Sequence, residues 1–143
     1  MRNKKLDDRI KRFVLCNSKM RERTLESERG FLKLAGNISS AQLQIILSIC
    51  ENSPCTMSQL AKILHFSKPN ITKMIERLIQ KKMVKKIKHA TDQRSVEVIL
   101  LAKGKKISDL HKAHVERVAK DWFASMTELQ QEEMLRIWEK YLD

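Results

Sequence analysis

Between residues 56 and 104 the hydrophobic period switches from that of a helix to that of a strand, and few folds accept that order in so short a span. Thr56-Met57-Ser58-Gln59 has the spacing of a capping box, threonine at the cap and glutamine three residues on. A short helix should follow, with Leu60, Ala61 and Leu64 inward. After His65-Phe66, Ser67 is placed to cap a second helix over residues 68–81. Pro69 sits in its first turn, where a missing N–H costs little. Ile71, Met74, Ile75 and Leu78 recur at helical spacing as a buried stripe, while Lys68, Asn70, Thr72, Lys73 and Arg77 fall on other faces. Residues 83–88 and 95–100 then alternate with period two around the polar tip His89-Ala90-Thr91-Asp92-Gln93-Arg94, which predicts a β-hairpin. Lys103-Gly104 is expected to break the second strand.

Helices flank this unit on both sides. Leu6, Ile10, Phe13, Val14, Met20, Leu25, Phe31, Leu32 and Leu34 are spaced for one long helix, too sparsely to form a core alone. Gly36-Asn37 ends it. Ser39 or Ser40 caps a nearly all-apolar core helix over residues 41–50, which Asn52-Ser53-Pro54 terminates. After the hairpin, Ile107, Leu110, Val115, Val118 and Trp122 line another long helix. A second capping box, Thr127-Glu128-Leu129-Gln130, opens a last one with Leu135, Trp138 and Leu142 on one side. The fold class expected is mainly α with a small β-hairpin. Three glycines and two prolines in 143 residues leave little turn chemistry for a larger sheet.

The charge is concentrated where the periods change. Residues 56–106 carry a net +10 and residues 107–143 a net −3, within a chain total of +12. A focused basic field implies a polyanionic partner, nucleic acid before a membrane surface. No apolar run approaches the roughly 20 residues that span a membrane, and the charged N-terminus lacks a following apolar stretch, so no secretory signal is expected. Three cysteines without a CxxC spacing fit a reducing cytosol better than a disulfide framework. No glycine-rich phosphate loop, nucleophile–base spacing or paired carboxylates stand in an apolar context, so an enzyme is not expected, nor a cofactor.

Two short helices followed by a basic strand pair make a winged helix-turn-helix. The second helix would enter the major groove. Asn70 suits adenine edges, while Lys68 and Lys73 suit guanine or phosphate. Ser67 and Thr72 suit the DNA backbone, and Arg77 a phosphate. In the wing, Lys86 and Lys88 add charge. Arg94 is placed to enter a narrow minor groove, with Asp92 pairing to fix its direction.

The residues resemble the MarR family of bacterial winged helix-turn-helix regulators. The pieces are Ala41-Gln42, then Ser58-Gln59-Leu60-Ala61, then Ser67-Lys68-Pro69-Asn70-Ile71-Thr72-Lys73-Met74-Ile75-Glu76-Arg77-Leu78, then Asp92-Gln93-Arg94, and Leu100 before Lys103-Gly104. The aspartate-x-arginine wing in register with the strand end and glycine is the specific part. Three positions depart from the family pattern. Lys82 stands where glycine is common and should take a non-glycine conformation. Lys86 replaces arginine, and Leu101 replaces a capping threonine.

The resemblance implies a homodimer, with residues 1–38 and 105–143 as dimerisation helices and residues 39–104 as the DNA-binding domain. Trp122, Phe123 and Trp138 would lie in or near the interface. It also implies a cytoplasmic, nucleoid-associated regulator, a repressor before an activator, on a pseudo-palindromic site. Such regulators are commonly released by an effector. An organic effector would lie between the lobes, lined by Met20, Phe31, Leu34, His111, Val115 and Trp122. As plain structure, Trp122, Phe123 and Trp138 are ordinary core.

A metal alternative uses His111 and His114, three apart on one helix, with Cys16, Glu22, Glu26 or Glu28 as further ligands. As plain structure, these are packed or half-solvated helix histidines. A redox alternative uses Cys16, flanked by Arg12 and Lys19; otherwise Cys16 is a small buried hydrophobe, Cys50 a core residue and Cys55 a turn residue. A non-specific architectural DNA-binding protein is the competing function, and the defined Ser67–Leu78 helix argues against it.

Overall fold

The computed structural model describes residues 4–88 and 95–142. Helix α1 (Lys4–Leu34) leads into α2 (Ser40–Asn52), then strand β1 (Cys55–Thr56) and helices α3 (Met57–Ile63) and α4 (Lys68–Gln80). Strands β2 (Val84–Lys88) and β3 (Val96–Leu100) follow, then α5 (Ala102–Phe123) and α6 (Glu128–Leu142). The helical pattern and the hairpin match the expected class. The sheet has a third strand, however, because Cys55-Thr56 pairs antiparallel with Val98 and Glu97, giving the order β1-β3-β2. A two-residue strand has no period to read, so nothing local in the sequence announces it.

Local chemistry sets the helix starts. Thr56 and Gln59 form the expected capping box, each bonding the other's backbone, and Thr127 and Gln130 repeat it before α6. Ser39 and Gln42 make a third box at α2, so Ser39 is the cap rather than Ser40. Ser67 precedes α4 as its cap residue, but its hydroxyl makes no capping bond. Leu101 likewise offers α5 no side-chain cap.

Two helix ends share one geometry. After α4, Lys82 N–H reaches the Ile79 carbonyl and Met83 N–H the Leu78 carbonyl. This is the paired-bond ending that places one residue in the left-handed region. That residue is Lys82, at φ 56°. The expectation of a non-glycine conformation is therefore wrong: lysine adopts the backbone that glycine would supply. The buried pair Leu78 and Met83 closes over the turn and holds it there. After α3, His65 at φ 53° does the same, with Phe66 N–H on the Ala61 carbonyl.

The core lies in the middle of the chain. Ile45, Ile46 and Ile49 of α2, Leu60 of α3, Ile71, Ile75 and Leu78 of α4, and Val98 of β3 are wholly buried together. Gly104 belongs to this packing. It stands inside the first turns of α5, not in a break after the strand, and a Cβ there would run into the Met83 carbonyl oxygen. That oxygen also accepts Leu101 N–H at 2.9 Å, so the entry to α5 is pinned against the exit from α4.

Candidate nucleic-acid interface

Helix α4 divides sharply by face. Ile71, Ile75 and Leu78 are buried, and Met74 is half-buried against the same core. Ser67, Lys68, Pro69, Asn70, Lys73 and Arg77 are exposed. Thr72 is half-buried, and its hydroxyl donates to the Lys68 carbonyl at 3.0 Å, leaving only lone pairs for an outside partner. No acidic residue stands in the first turn. An exposed helix start carrying lysine and unopposed N–H groups attracts phosphate oxygens. Arg77 lies toward the other end, beside a cleft with Ser39, Gln42 and Lys81.

In the hairpin, Lys85, Lys86 and Lys88 are exposed. Lys86 pairs with Val98 and Lys88 with Val96. Alternate residues share a side, so Lys86 and Lys88 project together and Lys85 opposite. Asp92 and Arg94 lie outside the described residues.

Of the expected effector residues, Phe31, His111, Val115 and Trp122 come together. They line a cavity of about 320 Å³ between α1 and α5, with Glu28 and His114 at its polar side. Met20 is not among the lining residues; it sits about one turn nearer the α1 start than Thr24, whose hydroxyl donates to its carbonyl. Leu34 is exposed and faces an adjoining hollow with Ala35 and Leu110. Position along α1 explains both misses: Met20 shares the face of Thr24, Ser27 and Phe31 but precedes the first lining residue, Arg23, and Leu34 follows the last, Phe31.

The histidines are packed as a pair around Phe31, with ring centroids 5.4 Å (His111) and 5.3 Å (His114) from its own. Arg117 donates to His114 Nδ1 at 3.2 Å, because a guanidinium only donates. The His114 proton therefore sits on Nε2 and is directed at Ser27 Oγ, 3.1 Å away. Burial pushes His111 below the usual imidazole range; neighbouring His114 adds to the shift and Glu28 opposes it. Among the described residues no three His, Cys, Asp or Glu side chains gather as a metal-binding group. Sequence spacing missed that Ser27 and Arg117 occupy both nitrogens of His114.

The cysteines depart from expectation. Cys16 and Cys50 are exposed, and Cys55 is buried. Ile45, Ile46 and Ile49 set the inward face of α2, which leaves Cys50 outside. Pairing with Val98 turns Cys55 inward, where burial, then the nearby Glu97, pushes its thiol up.

Solved winged-helix structures share this fold over most of the chain. The YusO protein from Bacillus subtilis superposes with a TM-score of 0.81 at 18% identity, over 95% of this chain and 96% of that one. Streptococcus pneumoniae FabT, solved in complex with DNA, gives 0.79 at 23% identity over 93% and 96%. MarR from E. coli, in its apo form, gives 0.69 at 21% identity over 89% and 96%. No curated protein matches the chain by sequence. Residues 38–96, from the entry of α2 to the first residue of β3, match the model of the MarR family.

Proposed function

We propose that this protein is a sequence-specific DNA-binding transcription regulator acting as a homodimer. One observation carries the proposal: α4 buries its apolar stripe and leaves Lys68, Asn70 and Lys73 exposed on a helix start free of acidic residues. Such a helix is held rigidly from behind and presents base-reading and phosphate-binding groups in front. Asn70 reads adenine, Lys68 and Lys73 read guanine or hold phosphate, and Arg77 and Ser67 position the backbone, whereas Thr72, its hydroxyl proton spent on the Lys68 carbonyl, has none to give a phosphate. Lys86 and Lys88 extend the contact along the wing, where Arg94, oriented by Asp92, takes the minor groove. The family match supports this, as does the likeness to FabT and to S. aureus MepR, both solved with DNA.

Dimerisation rests on the outer helices, residues 1–38 and 105–143. Of the 31 residues of α1 only Phe31 is buried, and α6 buries none. Phe13 is 70% exposed, Trp138 56% and Tyr141 89%. Apolar helix faces of this extent mark an interface, and a second copy would place two copies of α4 on a pseudo-palindrome. The protein acts as a repressor in the cytoplasm, and an organic effector in the cavity beside Phe31, His111, Val115 and Trp122 releases it. No described helix is long and apolar enough to cross a membrane.

The test is fluorescence anisotropy against the DNA upstream of its own gene, with random DNA as competitor and with and without a chelator. Specific binding should exceed random binding by about 10³ or more. Binding that random DNA competes away would leave a non-specific architectural protein. Loss of binding on chelation would make His111 and His114 metal ligands.

A further inference from the structure

Lys81, at the end of α4, is tied down by the turn that follows the flanking helix α1. Its ammonium donates to the Gly36 carbonyl at 3.1 Å and to the Asn37 carbonyl at 3.1 Å. Gly36 (φ 89°) and Asn37 (φ 55°) are consecutive left-handed residues, an arrangement that leaves adjacent carbonyls side by side for one donor. They stand one residue beyond the C-terminal end of α1 at Leu34, where the helix dipole favours a cation. The root of Lys81 is equally fixed, as the cap residue of α4 ahead of the left-handed Lys82. The turns also touch, for a Cβ on Gly36 would lie 3.7 Å from Met83 Cε. Ser39, Gln42, Arg77 and Gln80 share the cleft, and among the described residues no carboxylate lines it. The two carbonyls are therefore the partners of this charge.

We infer that Lys81 is a positioning residue which fixes the tilt of α4 against α1, and so the separation of the two reading helices in the dimer. The inference rests on the DNA-reading homodimer proposed above. A 13-residue helix is about 20 Å long. Lys81 holds one end, and Lys68, Asn70 and Lys73 stand toward the other. A swing of about 10° at the clamp moves the reading end by about 3 Å, roughly a base-pair step. A single half-site tolerates that by shifting the whole protein; two half-sites at fixed spacing do not.

The experiment uses an operator selected from random DNA by the wild-type protein, and the same duplex with one half-site scrambled. Anisotropy is measured at several salt concentrations for wild type, K81M, K81Q and K81R, with circular dichroism to confirm folding. K81M should lose about tenfold on the intact operator and under about twofold on the scrambled one, with the salt slope unchanged. K81Q, whose amide reaches one carbonyl at most, should fall between, and serves in place of K81M if that variant unfolds. K81R should restore the wild-type ratio. Equal losses on both duplexes, or a salt slope reduced by about one phosphate contact, would make Lys81 an ordinary DNA contact and overturn the inference. Unchanged ratios in K81M and K81Q would overturn it too. If wild type selects no sequence at all, the DNA-reading proposal itself falls, and the role of Lys81 with it.

Discussion

The unit from α2 to the start of α5 and the helices outside it solve the burial problem in opposite ways. In the first, short elements close on one another: α4 spends thirteen residues and hides Ile71, Ile75 and Leu78 completely. In the second, α1 spends thirty-one and hides one. A short segment with a fully used apolar face is self-sufficient, whereas a long one with an unused face is half of something. The substitution that separates the regions most is a truncation in each. Ile75→Ala should cost about 2–5 kcal/mol of stability, measured by urea denaturation at any protein concentration. Phe13→Ala should cost under about 0.5 kcal/mol in dilute protein, where an exposed side chain has little to lose. Its effect should grow with concentration if the proposed dimer forms. A concentration-independent loss at Phe13 would break the contrast.

Glycine gives a second comparison, with opposite signs for one chemical change. Gly104→Ala places a methyl against the Met83 carbonyl oxygen and should destabilise by about 1–3 kcal/mol. Gly30 stands in the exposed part of α1, where an added methyl would meet nothing within 4 Å. There, Gly30→Ala should stabilise by about 0.5–1 kcal/mol, because alanine gives up less backbone freedom in a helix. Paired thermal melts decide both. Destabilisation at Gly30 would mean that a partner chain approaches that face closely.

A smaller effect is expected at the turn after α4. Lys82→Gly relieves a left-handed side-chain clash worth about 1–2 kcal/mol and loses part of that to chain entropy. A net gain of about 0.5–1 kcal/mol is expected from the denaturation midpoint. A loss would show that the Lys82 side chain makes a compensating contact.

What can be read from the sequence follows the same division. The capping boxes at Thr56 and Thr127, the α4 stripe and the hairpin are legible because each is written in neighbouring residues. Strand β1 is not, since it exists only through its pairing with Val98. The glycine pattern misleads in both directions. Lys82 takes a glycine backbone because the turn between Leu78 and Met83 requires it, and a glycine stands inside α5 at position 104 because the Met83 carbonyl leaves no room for a side chain. Both facts are tertiary. In the flanks, residue types suggest a cavity, but its extent along α1 excludes Met20 and Leu34, and only the folded chain shows Lys81 reaching back across 45 residues to Gly36.

The least perturbing change is a single proton, and it probes the seam where the two regions meet. His111 is held below its ordinary range by burial and by His114, against the pull of Glu28. The unfolded chain therefore binds a proton there at a higher pH than the folded chain does. Stability from this site is complete above the unfolded value of about 6.5. It falls as pH drops from there through the lower folded value. Wild type should lose more stability than His111→Gln between pH 7.5 and pH 5.5, by a margin smaller than any effect above. Because His111 packs on Phe31, and Phe31 joins α1 to the core, protonation loosens the flank against the winged unit rather than the unit itself. Hydrogen exchange at pH 5.5 should then quicken in the last turns of α1 before it quickens in α4, and the reverse order would place the pH-sensitive seam elsewhere.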